Sequence, residues 1–229
     1  MARETDANPG RAPQGPVAGA RTSPGAWALL LALTAVGLAG DLWTKALAFE
    51  HVAQVPVTVT RAEVIEAGPQ SLGRLIPAHD PVTVIPSVLD FTLVLNPGAV
   101  FGIGAGQRWF FVAFTVLAMG VCLWMFGWWT TRRDRLAHVS FALVIAGGLG
   151  NLYDRLVFAC VRDFIHPLPG VKLPFGLSWP SGEDELWPYV SNVADAYLIV
   201  GIAALVWFSF RAPAEEKPDR SEPERPAGG

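Results

Sequence analysis

Asparagine and aspartate recur at one spacing in this chain, as Asn151-x-x-Asp154 and Asn192-x-x-Asp195. Helix positions three apart share a face, so each amide lies one turn from its carboxylate and can orient it or hold a substrate carbonyl. A further aspartate, Asp163, stands between the two pairs in Val-Arg-Asp-Phe-Ile. Its apolar neighbours predict a chain dipping back against packed structure, where desolvation raises a carboxyl pKa. Two adjoining carboxyls that share a proton can divide general-acid and general-base work, the chemistry of an aspartic protease. Asp41 and Lys45 are four apart, acid first, the better order for an ion pair on one helix face. Arg155 can pair with Asp154 or with a carboxylate from elsewhere. Asn96-Pro-Gly98 is a turn signal with no chemistry of its own. Each cluster also has a purely structural reading: an ion pair that eases insertion, a turn, a helix-end charge group, an aspartate suited to a helix N-terminus.

The elements that must position these residues are long and apolar. Of 229 residues, 52% are hydrophobic and 16% charged, against roughly 25% charged in a soluble domain. Four stretches approach the roughly 20 residues that a membrane span requires. They run over 26–49, 109–129, 136–153 and 189–210. The first is read as a span that carries a polar motif, not as a cleaved leader, because it is too long for a typical h-region. Gly147, Gly148 and Gly150 in the third permit close helix approach. Trp124, Trp128, Trp129, Trp187 and Trp207 fall near the proposed ends, as an aromatic belt does.

Arg132, Arg133 and Arg135 crowd the short link between the second and third spans. Positive-inside bias then places that link and both termini in the cytoplasm, and the links 50–108 and 154–188 outside. Residues 1–25 and 211–229, rich in Pro, Gly, Ala and charge, are expected to be disordered cytoplasmic tails around a membrane domain over 26–210. In the first outer link, 55–60 and 89–95 have strand-like patterning and predict a small sheet. Five prolines over 166–188 predict an irregular loop. The expected fold is therefore an all-α membrane protein of four transmembrane helices with a small β-rich extracytoplasmic element. A net charge of −3 without basic bias gives no sign of a nucleic-acid partner, and Cys122 and Cys160 make no disulfide framework. No two histidines are at helical metal-pair spacing, so no metal is expected.

This topology brings all five polar clusters to one membrane face, where carboxylates are costly and suggest function. A proton-coupled transporter built on a carboxylate relay is one alternative; it favours polar residues spread through the membrane depth. A non-catalytic scaffold is another, and leaves the paired Asn-x-x-Asp motifs without a purpose.

Together the motifs resemble those of the lipoprotein signal peptidases, or signal peptidase II. They stand in that family's order over roughly 26–210: Asp41-Leu-Trp-Thr-Lys45, Asn96-Pro-Gly-Ala99, Gly147-Gly-Leu-Gly-Asn151-Leu-Tyr-Asp154-Arg155, Val161-Arg-Asp163-Phe164 and Asn192-Val-Ala-Asp195. The resemblance implies a bacterial inner-membrane aspartic endopeptidase that removes signal peptides from prolipoproteins, cutting before a diacylglyceryl-modified cysteine. It implies Asp163 and Asp195 as the catalytic pair, supported by Asp41, Lys45, Asn96, Gly98, Asn151, Asp154, Arg155 and Asn192. It implies no cofactor, with lipidated prolipoprotein and membrane lipid as partners, and a monomer is expected. Leu42 stands where the family usually has glutamine, and Ala159 where it usually has glycine. The 50–90 region and the link between Asp163 and Asp195 are longer than typical.

Overall fold

A computed structural model describes residues 19–98, 107–180 and 182–211. Four of its helices are long and apolar enough to cross a membrane: α1 (Pro24–His51), α3 (Arg108–Trp129), α4 (Arg135–Val157) and α5 (Val193–Arg211). A short helix α2 (Arg61–Ala67) and three strands complete the order: β1 (Val82–Ile85) and β2 (Leu89–Asn96) before α3, and β3 (Val161–Pro167) between α4 and α5.

Local chemistry sets the helix starts. Ser23 accepts the Ala26 N–H and Pro24 occupies the first turn of α1. Thr60 and Glu63 form a reciprocal capping box on α2. Asn192 and Asp195 do the same for α5, each side chain accepting the other's backbone N–H at 3.1 Å.

α4 is the central helix. It packs against α1, α3 and α5, and 67% of its apolar window is buried, against 22% or less for the other three. Their outward faces carry bare Trp109, Phe114, Leu117 and Ile199, as a lipid-facing surface must. The glycines expected to permit close approach do so at two places. A Cβ on Gly147 would collide with the Ala194 carbonyl, and one on Gly150 with the Asp41 carboxylate. A Cβ on Gly148 would meet Thr115 and Met119 only at ordinary contact distance.

The strands form an antiparallel sheet in the order β1-β2-β3. Its inner side joins the C-terminal end of α1 in one apolar core of Phe49, Val52, Leu72, Leu93, Leu95 and Phe164. A second core, with Leu30, Phe126 and Phe141, closes the opposite end of the bundle. There the Ala20 N–H bonds the Thr130 carbonyl, so the start of α1 meets the α3–α4 turn. Arg21 lies over Trp128 and Arg211 over Trp207 at this same end.

Three expectations need correction. Residues 55–60 are not a strand: the Val57 N–H turns back to the Phe49 carbonyl, Pro56 has no donor, and Thr60 caps α2. The loop expected over 166–188 is more regular than its prolines suggest. Its first residues belong to β3, and backbone bonds Leu173 N–H to Asp184 O, 2.8 Å, and Leu186 N–H to Val171 O, 2.6 Å, zip the rest into a hairpin-like excursion. The tail expected over 1–25 lies mostly outside the described residues, but packed structure already begins at Gly19, with Ala20 fully buried. The tail over 211–229 lies outside them but for Arg211, the last residue of α5.

Candidate active site

The C-terminal ends of α1 and α4, the start of α5 and the sheet converge on one cluster. α4 ends at Val157, and Ala159 turns the chain with a left-handed φ of 67°. This is the position where glycine was noted as usual, and the backbone explains why: such a φ suits a residue without Cβ. β3 then runs back against the bundle and buries Asp163 to 1% exposure.

β2 and β3 pair Val94 with Asp163 and Asn96 with Val161, so Asn96 is the diagonal neighbour of Asp163. The Asn96 side-chain amide donates to Asp163 Oδ2 at 3.0 Å. Its own oxygen accepts the Gly98 N–H at 3.0 Å, fixing the turn. On the other side, Asn192 Nδ2 donates to Asp163 Oδ1 at 2.5 Å and to Asn151 Oδ1 at 3.2 Å. Asn151 Nδ2 donates in turn to Asp195 Oδ1 at 2.8 Å. Three asparagines thus fix both carboxylates, and Asn151 and Asn192 link one aspartate to the other.

Below the pair lies a fully buried charge network. Lys45 Nζ meets Asp41 at 2.9 Å and Asp154 at 3.4 Å, and donates to Asn151 Oδ1 at 3.2 Å. Asp41 also accepts the Ala194 N–H at 2.8 Å, so α1 caps α5 directly. The second partner of Asp154 is Arg162, whose Nη2 lies 2.9 Å from Oδ1 and whose backbone N–H donates to Oδ2 at 3.0 Å. Sequence reasoning missed Arg162. Arg155, one residue from Asp154, points elsewhere, because adjacent helix positions do not face each other. It donates to the carbonyls of Gly98 and Asn151 and lies over the Phe111 ring. Its charge still acts on Asp163 and Asp195. The network balances two carboxylates against two cations, as buried charges require.

Burial, and next the charge of Asp195, push the Asp163 carboxyl up to about 7, against the pull of the Asn192 and Asn96 hydrogen bonds. Asp163 is therefore poised to take up and release a proton close to neutral pH. Cys160 lies close by, but burial drives its thiol up to about 12, which leaves it no nucleophile. Both aspartates line a cavity of about 910 Å³. Asn96, Gly98, Asn151, Arg155 and Asn192 share its wall with apolar Leu198, Ile199 and Trp187. Asp41, Lys45 and Asp154 stand behind that wall. All ten residues singled out in the sequence thus meet in one assembly.

Such a fold and site define a class: polytopic membrane proteins whose helix ends present paired carboxylates in a largely apolar cavity. The comparisons with known proteins narrow it. The Signal peptidase (SPase) II family matches residues 33–211. A lipoprotein signal peptidase of Anaeromyxobacter sp. is 33% identical over 190 residues, covering 79% of this chain and 83% of the relative. One from Azoarcus sp. is 34% identical over 151 residues, covering 64% and 75%. A bacterial membrane enzyme solved by the in meso method at 2.3 Å resolution superposes with a TM-score of 0.56 at 21% identity, over 84% of this chain and 94% of that one. The chain belongs to the signal peptidase II family and is a bacterial membrane peptidase.

Proposed function

We propose that Asp163 and Asp195 are the catalytic pair of an aspartic endopeptidase that removes signal peptides from prolipoproteins, cutting before a diacylglyceryl-modified cysteine. The observation that carries this reading is the asparagine-linked pair itself, two carboxylates bound through Asn151 and Asn192 at one cavity wall, with Asp163 raised to about 7. Asp163 starts protonated and Asp195 ionised. Asp195 takes a proton from water as the water oxygen bonds to the scissile carbonyl carbon. Asp163 gives its proton to the carbonyl oxygen. As the C–N bond breaks, Asp195 returns its proton to the leaving nitrogen, and the hydroxyl proton goes back to Asp163. Asn96 and Asn192 orient the carboxylates, and Asn96 offers its second amide N–H to the substrate backbone. Arg155 supplies the facing positive charge.

The arginines of the α3–α4 turn support an orientation with both termini in the cytoplasm and the cavity at the outer face. There water reaches the aspartates, while the apolar wall of Leu198 and Ile199 suits a substrate whose lipid stays in the bilayer. Asp163→Asn and Asp195→Asn should each abolish cleavage of a diacylated prolipoprotein by purified enzyme while the protein elutes and melts as a folded monomer. Retained turnover in either variant overturns the assignment.

A further inference from the structure

The excursion between β3 and α5 carries charges on its paired arms and apolar groups at its feet and its tip. Lys172, Asp184 and Glu185 lie on the arms, Glu183 follows at the level of Pro174, and no charged residue stands between Lys172 and Glu183. The arms are held by the Lys172–Asp184 ion pair at 2.6 Å, by the Gly170 N–H on Glu185 at 3.1 Å, and by Glu185 against His166 of β3 at 3.3 Å. The Trp179 indole N–H bonds the Glu185 carbonyl at 2.8 Å, which draws the arms together. At the tip, Pro174–Gly176 form a single tight turn. Phe175 there takes a left-handed φ of 62°, a conformation that large side chains seldom adopt. The Phe175 ring is 98% exposed and Leu177 57% exposed. An aromatic ring displayed bare on a hydrogen-bonded support calls for an apolar surrounding outside the fold.

The feet of the excursion show what that surrounding is. The excursion leaves from the end of β3, whose Ile165 pairs with Ser191, and re-enters the bundle at Val193, so its second foot stands at the start of a span. Leu168 and Trp187 at the feet line the same cavity as Leu198 and Ile199 of α5. Ile199 is 59% exposed on the lipid-facing side of that helix. Trp187 and Leu186 continue the exposed apolar side of α5 onto the foot of the excursion. We propose that this hairpin is an interfacial anchor, its Phe175–Leu177 tip lying in the headgroup and upper acyl layer of the bilayer beside the cavity mouth. An apolar aromatic tip beyond charged arms is the polarity that the membrane interface selects. The inference rests on the reading of the four helices as spans, and not on the catalytic assignment.

The test places an environment-sensitive nitrobenzoxadiazole label on Phe175→Cys, in a Cys122→Ala, Cys160→Ala background, with Glu183→Cys as the control in the charged run. The full chain is reconstituted in phosphatidylglycerol–phosphatidylethanolamine nanodiscs. The label at 175 should emit at shorter wavelength, be quenched by lipids with a nitroxide high on the acyl chain, and be several-fold less quenched by iodide than the label at 183. Equal iodide quenching at both positions, with no quenching by nitroxide lipid, overturns the anchor. Should the cysteine-free background fail to fold, benzoylphenylalanine at 175 in the otherwise unaltered chain gives a second readout. Photocrosslinking should add the mass of one phospholipid, and protein recovered without lipid adduct overturns the proposal. Nanodiscs expose both faces, so these results do not depend on orientation or turnover. Those readings fail separately, by side-selective labelling of Glu183→Cys in intact cells and by the aspartate variants.

Discussion

Replacing Asp195 with asparagine removes one negative charge beside Asp163 and keeps the volume and one hydrogen-bonding oxygen. The Asp163 carboxyl stands at about 7 instead of 3.8 because of burial first and the Asp195 charge second. At 1.36 kcal/mol per pH unit, that displacement opposes ionisation by about 4 kcal/mol. The Asp195 charge ranks behind burial among the causes, so it accounts for part of that displacement and not the whole. In Asp195→Asn the Asp163 midpoint should therefore fall below about 7 and stay above the ordinary carboxylate value of 3.8, because burial persists. Carbonyl-region infrared difference spectra of protein in nanodiscs, titrated with pH, read this midpoint directly. Stability should follow with a defined sign. A carboxyl raised in the folded state contributes stability that is present in acid and lost as pH rises from about 4 through about 7. Relieving the repulsion should contribute stability to the variant at pH 8 that is gone below about pH 4, set against a pH-independent loss of about 1 kcal/mol from the one hydrogen bond that asparagine cannot accept. An unmoved or higher Asp163 midpoint would refute the through-space coupling of the two carboxylates.

Three further outcomes follow from the same geometry. Lys45→Met leaves Asp41 and Asp154, both fully buried, short of a shared cation; thermal unfolding in detergent should show a loss of about 3–5 kcal/mol. Ala159→Gly relieves a left-handed alanine at the α4–β3 turn and should stabilise by about 1 kcal/mol in the same assay, with activity unchanged. Asn192→Ala removes a donor to Asp163 and the bond to Asn151; kcat should fall about 100-fold with a smaller change in KM, as for loss of a transition-state hydrogen-bonding group.

The spans were legible because a bilayer imposes length and composition on each helix separately, with no tertiary knowledge required. The Asn-x-x-Asp pairs were legible because helix geometry alone places their members on one face. Asp195 shows the limit of that reasoning, since the spacing fits a capping box and a catalytic site equally well, and in the structure Asp195 both caps α5 and accepts the Asn151 amide at the cavity wall. Arg162 was hidden because its bond to Asp154 depends on the sharp turn at Ala159, which sequence periodicity does not report. The capping of α5 by Asp41 was hidden for a different reason, the 153 residues between donor and acceptor. α2, in contrast, had a local signal: Thr60-x-x-Glu63 is a capping-box pattern at the end of the stretch read as a strand.

That long reach from Asp41 to Ala194 also bears on timing. Residues separated by 153 positions leave a bacterial ribosome roughly 8–30 s apart at 5–20 residues per second. Through this interval the first span waits with an aspartate whose helix-capping partner has not been made. A chain stalled before Val193 already carries Asp163, but its last helix is missing, and with it Asp195. Under the proposed assignment, completion of the final span supplies the second carboxylate of the pair, and a nascent fragment that lacks it should be inert toward its neighbours.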